Sequence, residues 1–275
     1  MIVMEKNELI LLAKNLMMET LYARSYKEIL DQYKKNKISY KQEMLLSPVF
    51  HGISEMALVE ALSIRLARLY DIDDRTAGLR FLMKQAEENI EYFPKDRGES
   101  IEKFDGKEYR FIIPLTHTLR ECEKCYFQEK VKKEEALQNT LSGIMDTTTN
   151  EITIEVTIEE LFEMYHKRFA SIQSVCNNLI KQRNKIYAHN DQNVNFDIET
   201  VYQENPLSTR DIDTLLDFAR DYTSFCYEYL SGNYAALELK YIDDWENTLV
   251  FAKKGMDSQK QEWKENYGEE FDPFP

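Results

Sequence analysis

Glycine and proline are scarce in this chain, eight and six residues among 275. An all-β sandwich or barrel needs a turn every eight to twelve residues, and that supply does not meet it. Cysteine is equally thin. Cys122, Cys125, Cys176 and Cys226 are too few for a disulfide scaffold, and no signal peptide precedes them. Long hydrophobic runs are missing too: the stretch Leu9 to Ala13 is far too short to span a bilayer. Positive charge is in deficit, with a formal net charge of −14. A passive polycation that coats nucleic acid is thereby excluded, although a small basic cleft on an acidic body is not. There is no glycine-rich phosphate loop, no His-Glu-x-x-His zinc motif and no serine-centred elbow. No cofactor and no metal are expected, and the protein reads as soluble, reduced and cytoplasmic.

What is abundant points to helices. Hydrophobic residues make up 43%, enough for one large core. An apolar stripe of Leu9, Leu12, Leu16, Tyr22, Ile29 and Tyr33 predicts a first helix over residues 7–34. Ser47-Pro48 offers an N-cap and a first-turn proline for a second helix reaching Tyr70. Between Met56 and Leu69 that helix is apolar almost all round, the pattern of a central bundle helix. A third spans residues 75–92 and stops near Pro94. Residues 95–150 read as an insertion, with strands at 108–113 and 151–157 that would pair as a short β-hairpin around a charged helical stretch, 119–137. The run 147–150 reads as a surface loop.

Thr157-Ile-Glu-Glu160 is a capping box that opens the most informative helix. Its apolar positions fall at Phe162, Tyr165, Phe169, Ile172, Cys176 and Leu179, in steps of three and four. The same count continues onto Arg183 and Ile186, which sets a cation on a line that should be buried. Ser208-Thr-Arg-Asp211 begins a matching helix with Ile212, Leu215, Ala219, Tyr222, Cys226 and Tyr229 on its seam, closed by Gly232. The two seams predict an antiparallel pair. A C-terminal tail, residues 233–275, carries Trp245, Leu249 and Phe251 and should dock in part, with a frayed end from 265. One helical domain, 1–275, is expected.

Arg183-Asn-Lys-Ile-Tyr-Ala-His189 places an arginine, a polar neighbour and a histidine six positions on. This resembles the signature of the HEPN superfamily. The lead-in Asn178-Leu-Ile-Lys-Gln-Arg183 and the trailing Ala188-His-Asn-Asp191 are similar to its AbiU-type abortive-infection branch, as is Ile64-Arg-Leu-Ala-Arg-Leu-Tyr-Asp71 at the end of an earlier helix. The likeness covers residues 7–92 and 157–231. With 12 arginines and four histidines, the bare spacing arises by chance about half a time in such a chain. Arg110 and His117 satisfy it as well, but without the polar neighbour and across Pro114. What distinguishes Arg183 is its place on a capped seam helix, the Asn184 neighbour and the second matching stretch.

The resemblance implies an all-α, HEPN-like helical bundle and a metal-independent endoribonuclease of phage-defence or toxin type. It would act as a homodimer with two motifs facing one cleft. Arg183 would hold the phosphate by a bidentate pair of hydrogen bonds. His189 would act as general acid or base and Asn184 would orient either. Lys181, Lys185, Tyr187 and Asn190 are the further residues for RNA contact. An antitoxin or other regulatory partner is the remaining partner expected. The alternative is a catalytically silent module of the same fold that binds a protein partner or a nucleotide; the acidic composition favours it, because RNA must be drawn in against a repulsive background. Arg65, Arg68 and Asp71 read as structural, through an ion pair within the bundle and an N-cap. Cys122-Glu-Lys-Cys125, five residues after His117, reads as two cysteines one turn apart rather than a zinc site.

Overall fold

In the computed structural model the described residues are 4–73, 75–105, 107–142, 151–188, 198–235 and 240–267. They form an all-α bundle with two small two-stranded sheets. The elements run α1 (Lys6–Ser39), α2 (Lys41–Met44), α3 (Pro48–Leu69), α4 (Leu79–Glu88), β1 (Asp96–Phe104), β2 (Lys107–Pro114) and β3 (Thr116–Thr118). They continue with α5 (Gln128–Ser142), β4 (Thr153–Glu155), α6 (Ile158–Ser171), α7 (Gln173–Gln182), a π-helical turn (Arg183–Ala188), α8 (Ile198–Glu204), α9 (Thr209–Ser231) and α10 (Glu246–Tyr267).

Local signals set the ends of α6 and α9. Thr157 Oγ1 accepts the Glu160 amide at 3.2 Å while Glu160 accepts the Thr157 amide at 2.9 Å. Ser208 and Asp211 repeat the exchange at 2.8 and 3.1 Å. Such a box satisfies two amides that a helix start leaves without partners. Gly232 closes α9 at φ 70°, a left-handed conformation that glycine adopts without a steric cost.

The expected antiparallel pair is present. Phe162 meets Phe225, Tyr165 meets Tyr222 and Phe169 meets Phe218, so each residue gained on α6 is one lost on α9. Each aromatic removes roughly 150–250 Å² from water, and this stack is the centre of the core. α1 crosses both α3 and α9. Arg65 reaches Glu19 at 2.6 Å, Lys27 reaches Asp213 at 3.0 Å, and Tyr70 donates its hydroxyl to the Leu215 carbonyl at 2.5 Å. In the tail, Trp245 stacks on Tyr33 at 4.6 Å and Leu249 is buried, whereas Phe251 is exposed.

Several expectations need correction. α1 runs to Ser39, beyond residue 34, and Ser47 makes no side-chain cap for α3 although Pro48 does open it. α3 is central only in its second half. Leu62, Leu66, Ala67 and Leu69 are buried, but Met56 and Val59, within the stretch expected to be central, are exposed, as are Val49, Phe50 and Ile53 before it. The third helix begins at Leu79, not 75. Asp71 and Asp73 each accept a backbone amide two residues on, and these turns hold the chain out of a helix. Gly78 follows, so close to α3 that a Cβ there would sit 2.9 Å from the Leu69 carbonyl oxygen.

The expected strand pairing is wrong. β2 pairs with β1, and β4 pairs with β3, so the strands at 108–113 and 151–157 belong to different sheets. Asp105, at φ 50°, turns the first hairpin, and Asp-Gly at 105–106 is the local signal for it. The charged helix starts at Gln128 rather than 119, after a 3₁₀ turn Lys124–Tyr126. The run 147–150 and the end 268–275 lie outside the described residues.

A buried charge cluster fastens this inserted region to the bundle. Arg168 of α6 donates to Glu123 at 2.9 Å and to Asp221 of α9 at 2.9 Å; both carboxylates are 1% exposed. Arg220 and Arg120 also reach Asp221, and His117 Nε2 lies 3.1 Å from Glu123. Burial alone would push the Glu123 carboxyl up. The hydrogen bonds from His117 and from the Arg120 amide, with the charges of His117 and Arg168, more than offset this and leave it below the ordinary value. A depressed carboxyl stabilises the fold above its unfolded pKa and ceases to do so as pH falls through the folded one. The urea midpoint should therefore drop as pH is lowered below about 4.5, and Glu123→Gln should flatten that part of the profile. An unchanged acid limb in the variant would remove Glu123 from the account.

Candidate functional site

The helix that carries the motif is not one straight rod. At its first break the Ser171 hydroxyl donates to the Arg168 carbonyl at 2.7 Å and the Ile172 amide turns to Phe169 at 3.2 Å, both competing with the α-helical ladder. α7 then keeps the seam, with Cys176 and Leu179 buried. From Arg183 to Ala188 the winding widens to a π-helix. Such turns are rare and frequently mark functional sites. An α-helical count therefore does not hold from Arg183 to Ala188.

Arg183 is the first residue of the π turn and its side chain is 23% exposed. Nη2 donates to Asp71 Oδ2 at 3.2 Å, while Nε is buried without an acceptor among the described residues. Asp71 lies just past α3, so the two stretches that carry the family likeness meet in space. Its role differs from the expectation: it pairs with the motif arginine, and Gly78, not Asp71, stands at the N-cap of α4. Arg65 is held structurally by Glu19 and by Tyr26, and Arg68 is exposed.

Around Arg183, Lys181, Asn184 and Lys185 are exposed, and Lys185 lies 4.0 Å from Glu204 of α8. The returning chain is tied back beside them. Gln182 donates to the Asn205 carbonyl at 2.6 Å and Asn178 to the Pro206 carbonyl at 3.1 Å. Two basic side chains and an amide within two positions of Arg183 in sequence are thus exposed, while its own guanidinium is partly covered. The clefts of about 1180 and 220 Å³ lie at other parts of the molecule. Tyr187 lies in the π turn. His189 and Asn190 fall outside the described residues.

A family model, HEPN_AbiU2 (AbiU2), matches residues 6–248. The chain belongs to that family. The AbiU2 match takes in residues 95–150 and the start of the tail, regions the motif-level likeness left out. Membership supports a HEPN-type role of the abortive-infection kind. No curated protein and no solved structure gives a match. Among the described residues no helix is long and apolar enough to cross a membrane.

The competing motifs fare differently. Arg110 sits in β2 and His117 in β3, in separate sheets, and His117 is engaged by Glu123. Cys122 and Cys125 are exposed thiols beside a 3₁₀ turn, and no group of metal-ligating side chains is found among the described residues. Sequence reasoning missed the Arg183–Asp71 pair. The one signal in sequence was that Asp71 closes the second stretch matching the family, and nearby Arg65 and Arg68 offered it a local partner instead.

Proposed function

We propose that this AbiU2 protein is an endoribonuclease of phage-defence type that cleaves RNA without a metal. The ribose 2′-hydroxyl attacks its own phosphorus and the bond to the 5′ oxygen breaks. The products are a 2′,3′-cyclic phosphate and a 5′-hydroxyl. Arg183 binds the phosphate oxygens and offsets the charge that develops on them. His189 removes the hydroxyl proton or protonates the leaving oxygen, and Asn184 orients one of the two. Lys181, Lys185, Tyr187 and Asn190 contact the strand. A second copy of the chain supplies a facing motif, and a regulatory partner or antitoxin restrains the activity in the cell.

The observation that carries this reading is the state of Arg183. It is oriented by Asp71 yet retains a buried N–H with no acceptor among the described residues, and three exposed polar side chains lie within two positions of it in sequence. A buried donor left unpaired calls for an explanation, and a role for the Arg183 guanidinium beyond its pair with Asp71 is the one proposed. The test is incubation of purified protein with total RNA in the presence of chelator, followed by mapping of the cut ends. Cyclic phosphate and 5′-hydroxyl ends are expected, with a loss of about 10²-fold or more in His189→Ala and no change in helicity. Cleavage by that variant at the parent rate, or activity abolished by chelator, would sink the mechanism. Absence of any cleavage, together with saturable binding of a protein or nucleotide, would favour the silent module.

A further inference from the structure

The larger cleft, about 1180 Å³, lies between the inserted region and the C-terminal half of α9. Its lining includes Arg97 from β1, His117 from β3, Arg120, and Arg220 and Tyr229 from α9. α7 leads from the α6 side of the antiparallel pair towards Arg183, so the cleft and the motif lie at opposite ends of that pair. The ribonuclease reading does not involve it.

Sorting the polar groups by remaining hydrogen-bonding capacity gives its character. The carboxylate beside the arginines, Asp221, is the heavily engaged one, accepting from Arg168, Arg220 and Arg120. The carboxylates of Glu228 and Asp96 each accept a single backbone amide, that of Ala235 at 3.1 Å and that of Gly98 at 3.0 Å. The guanidinium groups are not exhausted, since each offers five N–H donors. Arg220 uses Nε and Nη2 on Asp221 and Asp217, and Arg120 uses Nη1 on Asp221. Among the described residues, Arg220 Nη1 and the Nε and Nη2 of Arg120 have no acceptor. Around Asp221 the capacity left over is therefore in donors, on two arginines brought together by one shared carboxylate. Burial, followed by the nearby charge of Arg120, lowers the pKa of Arg220, in keeping with positive charge that lacks full compensation.

We propose that this cleft binds a phosphorylated small molecule, its phosphate held by Arg120 and Arg220. Converging guanidinium forks suit a tetrahedral oxyanion with three accepting oxygens. The volume exceeds what a bare phosphate fills and is large enough to take a whole metabolite, the usual sites for which are somewhat smaller. The organic part of the ligand would lie against Phe225 and Tyr229, which pack at 5.0 Å, and against Tyr234 at the lip. A small anion is favoured over an RNA strand for two reasons. The donors lie within a concavity, Arg220 being 29% exposed at its side chain, and a long polyanion would have to cross a body of net charge −14.

The test is calorimetric titration of the full chain with inorganic pyrophosphate, with succinate at matched ionic strength as control. A short RNA oligonucleotide is tested alongside on the His189→Ala chain so that it stays intact. Saturable pyrophosphate binding tighter than about 1 mM is expected, absent with succinate. Arg120→Gln, at a half-exposed side chain, should weaken it about tenfold or more, and Arg220→Lys likewise, because lysine keeps the charge and loses the fork. No saturable binding, equal binding of succinate, unchanged affinity in Arg120→Gln with its thermal stability retained, or displacement of pyrophosphate by the RNA would each overturn the proposal. The readout is binding alone, so failure of the ribonuclease reading leaves this result intact, and the reverse.

Discussion

Asp221→Ala should lower stability by about 3–5 kcal/mol, read as a lower denaturant midpoint and a thermal transition on the order of 10 °C lower. Asp221 is 1% exposed and is the common acceptor for Arg168, Arg220 and Arg120. Removing it leaves the buried Arg168, 10% exposed, with Glu123 alone and three guanidinium groups drawn together without their common anion, and an under-compensated buried charge costs far more than an absent pair. Asp217 provides the contrast. It lies one turn earlier on α9, pairs with Arg220 at 3.2 Å, but is 50% exposed. Solvent screens that pair, and Asp217→Ala should change stability by roughly 1 kcal/mol or less. Replacing Arg168, Glu123 and Asp221 together by apolar residues of similar size should recover part of the loss, since the most deeply buried cation goes with its two carboxylates, while Arg120 and Arg220 keep the contact with water that their 44% and 29% exposure gives. Equal, small effects of Asp221→Ala and Asp217→Ala would mean that water reaches the cluster.

This cluster also marks where sequence reading stops. Arg168 lies 45 residues from Glu123 and 53 from Asp221, and nothing local says that three charged residues will be buried together. The capping boxes at Thr157 and Ser208 were legible because each is closed within four residues. The seam of α6, α7 and α9 was legible because burial follows helical period, and Arg183 stood out by interrupting it. Strand pairing was not legible from alternation alone, since β2 and β4 each alternate acceptably against any partner. The Asp-Gly turn at 105–106 settles the pairing locally. The exposure of the first half of α3 follows from which helices reach it, a tertiary fact that an apolar run does not contain.

The same distinction holds at the motif. Identity and spacing of Arg183, Asn184 and His189 came from sequence. The partner of Arg183 did not, because Asp71 lies 112 residues away. The π turn was hidden as well: helix periodicity predicts which face is buried, not how the backbone is wound where that face ends.

Arg183→Ala should reduce RNA cleavage by about 10²–10³-fold in kcat, with the fold retained. In the proposed mechanism the guanidinium acts on charge that develops at the phosphate in the transition state, so its loss falls on kcat more than on KM. Arg183→Lys should recover only part, because a single ammonium cannot replace a planar fork. Asp71→Asn keeps the shape and an accepting oxygen but removes the charge that orients Arg183. It should cost about tenfold, with little loss of stability, since the two side chains are 23% and 20% exposed and such pairs contribute roughly 1 kcal/mol or less. If Asp71 acts only through Arg183, the double variant Arg183→Ala with Asp71→Asn should be no worse than Arg183→Ala alone. A further tenfold loss in the double variant would give Asp71 an independent part in catalysis. Parent-level cleavage by Arg183→Ala would leave this arginine a bolt between α3 and the π turn and nothing more.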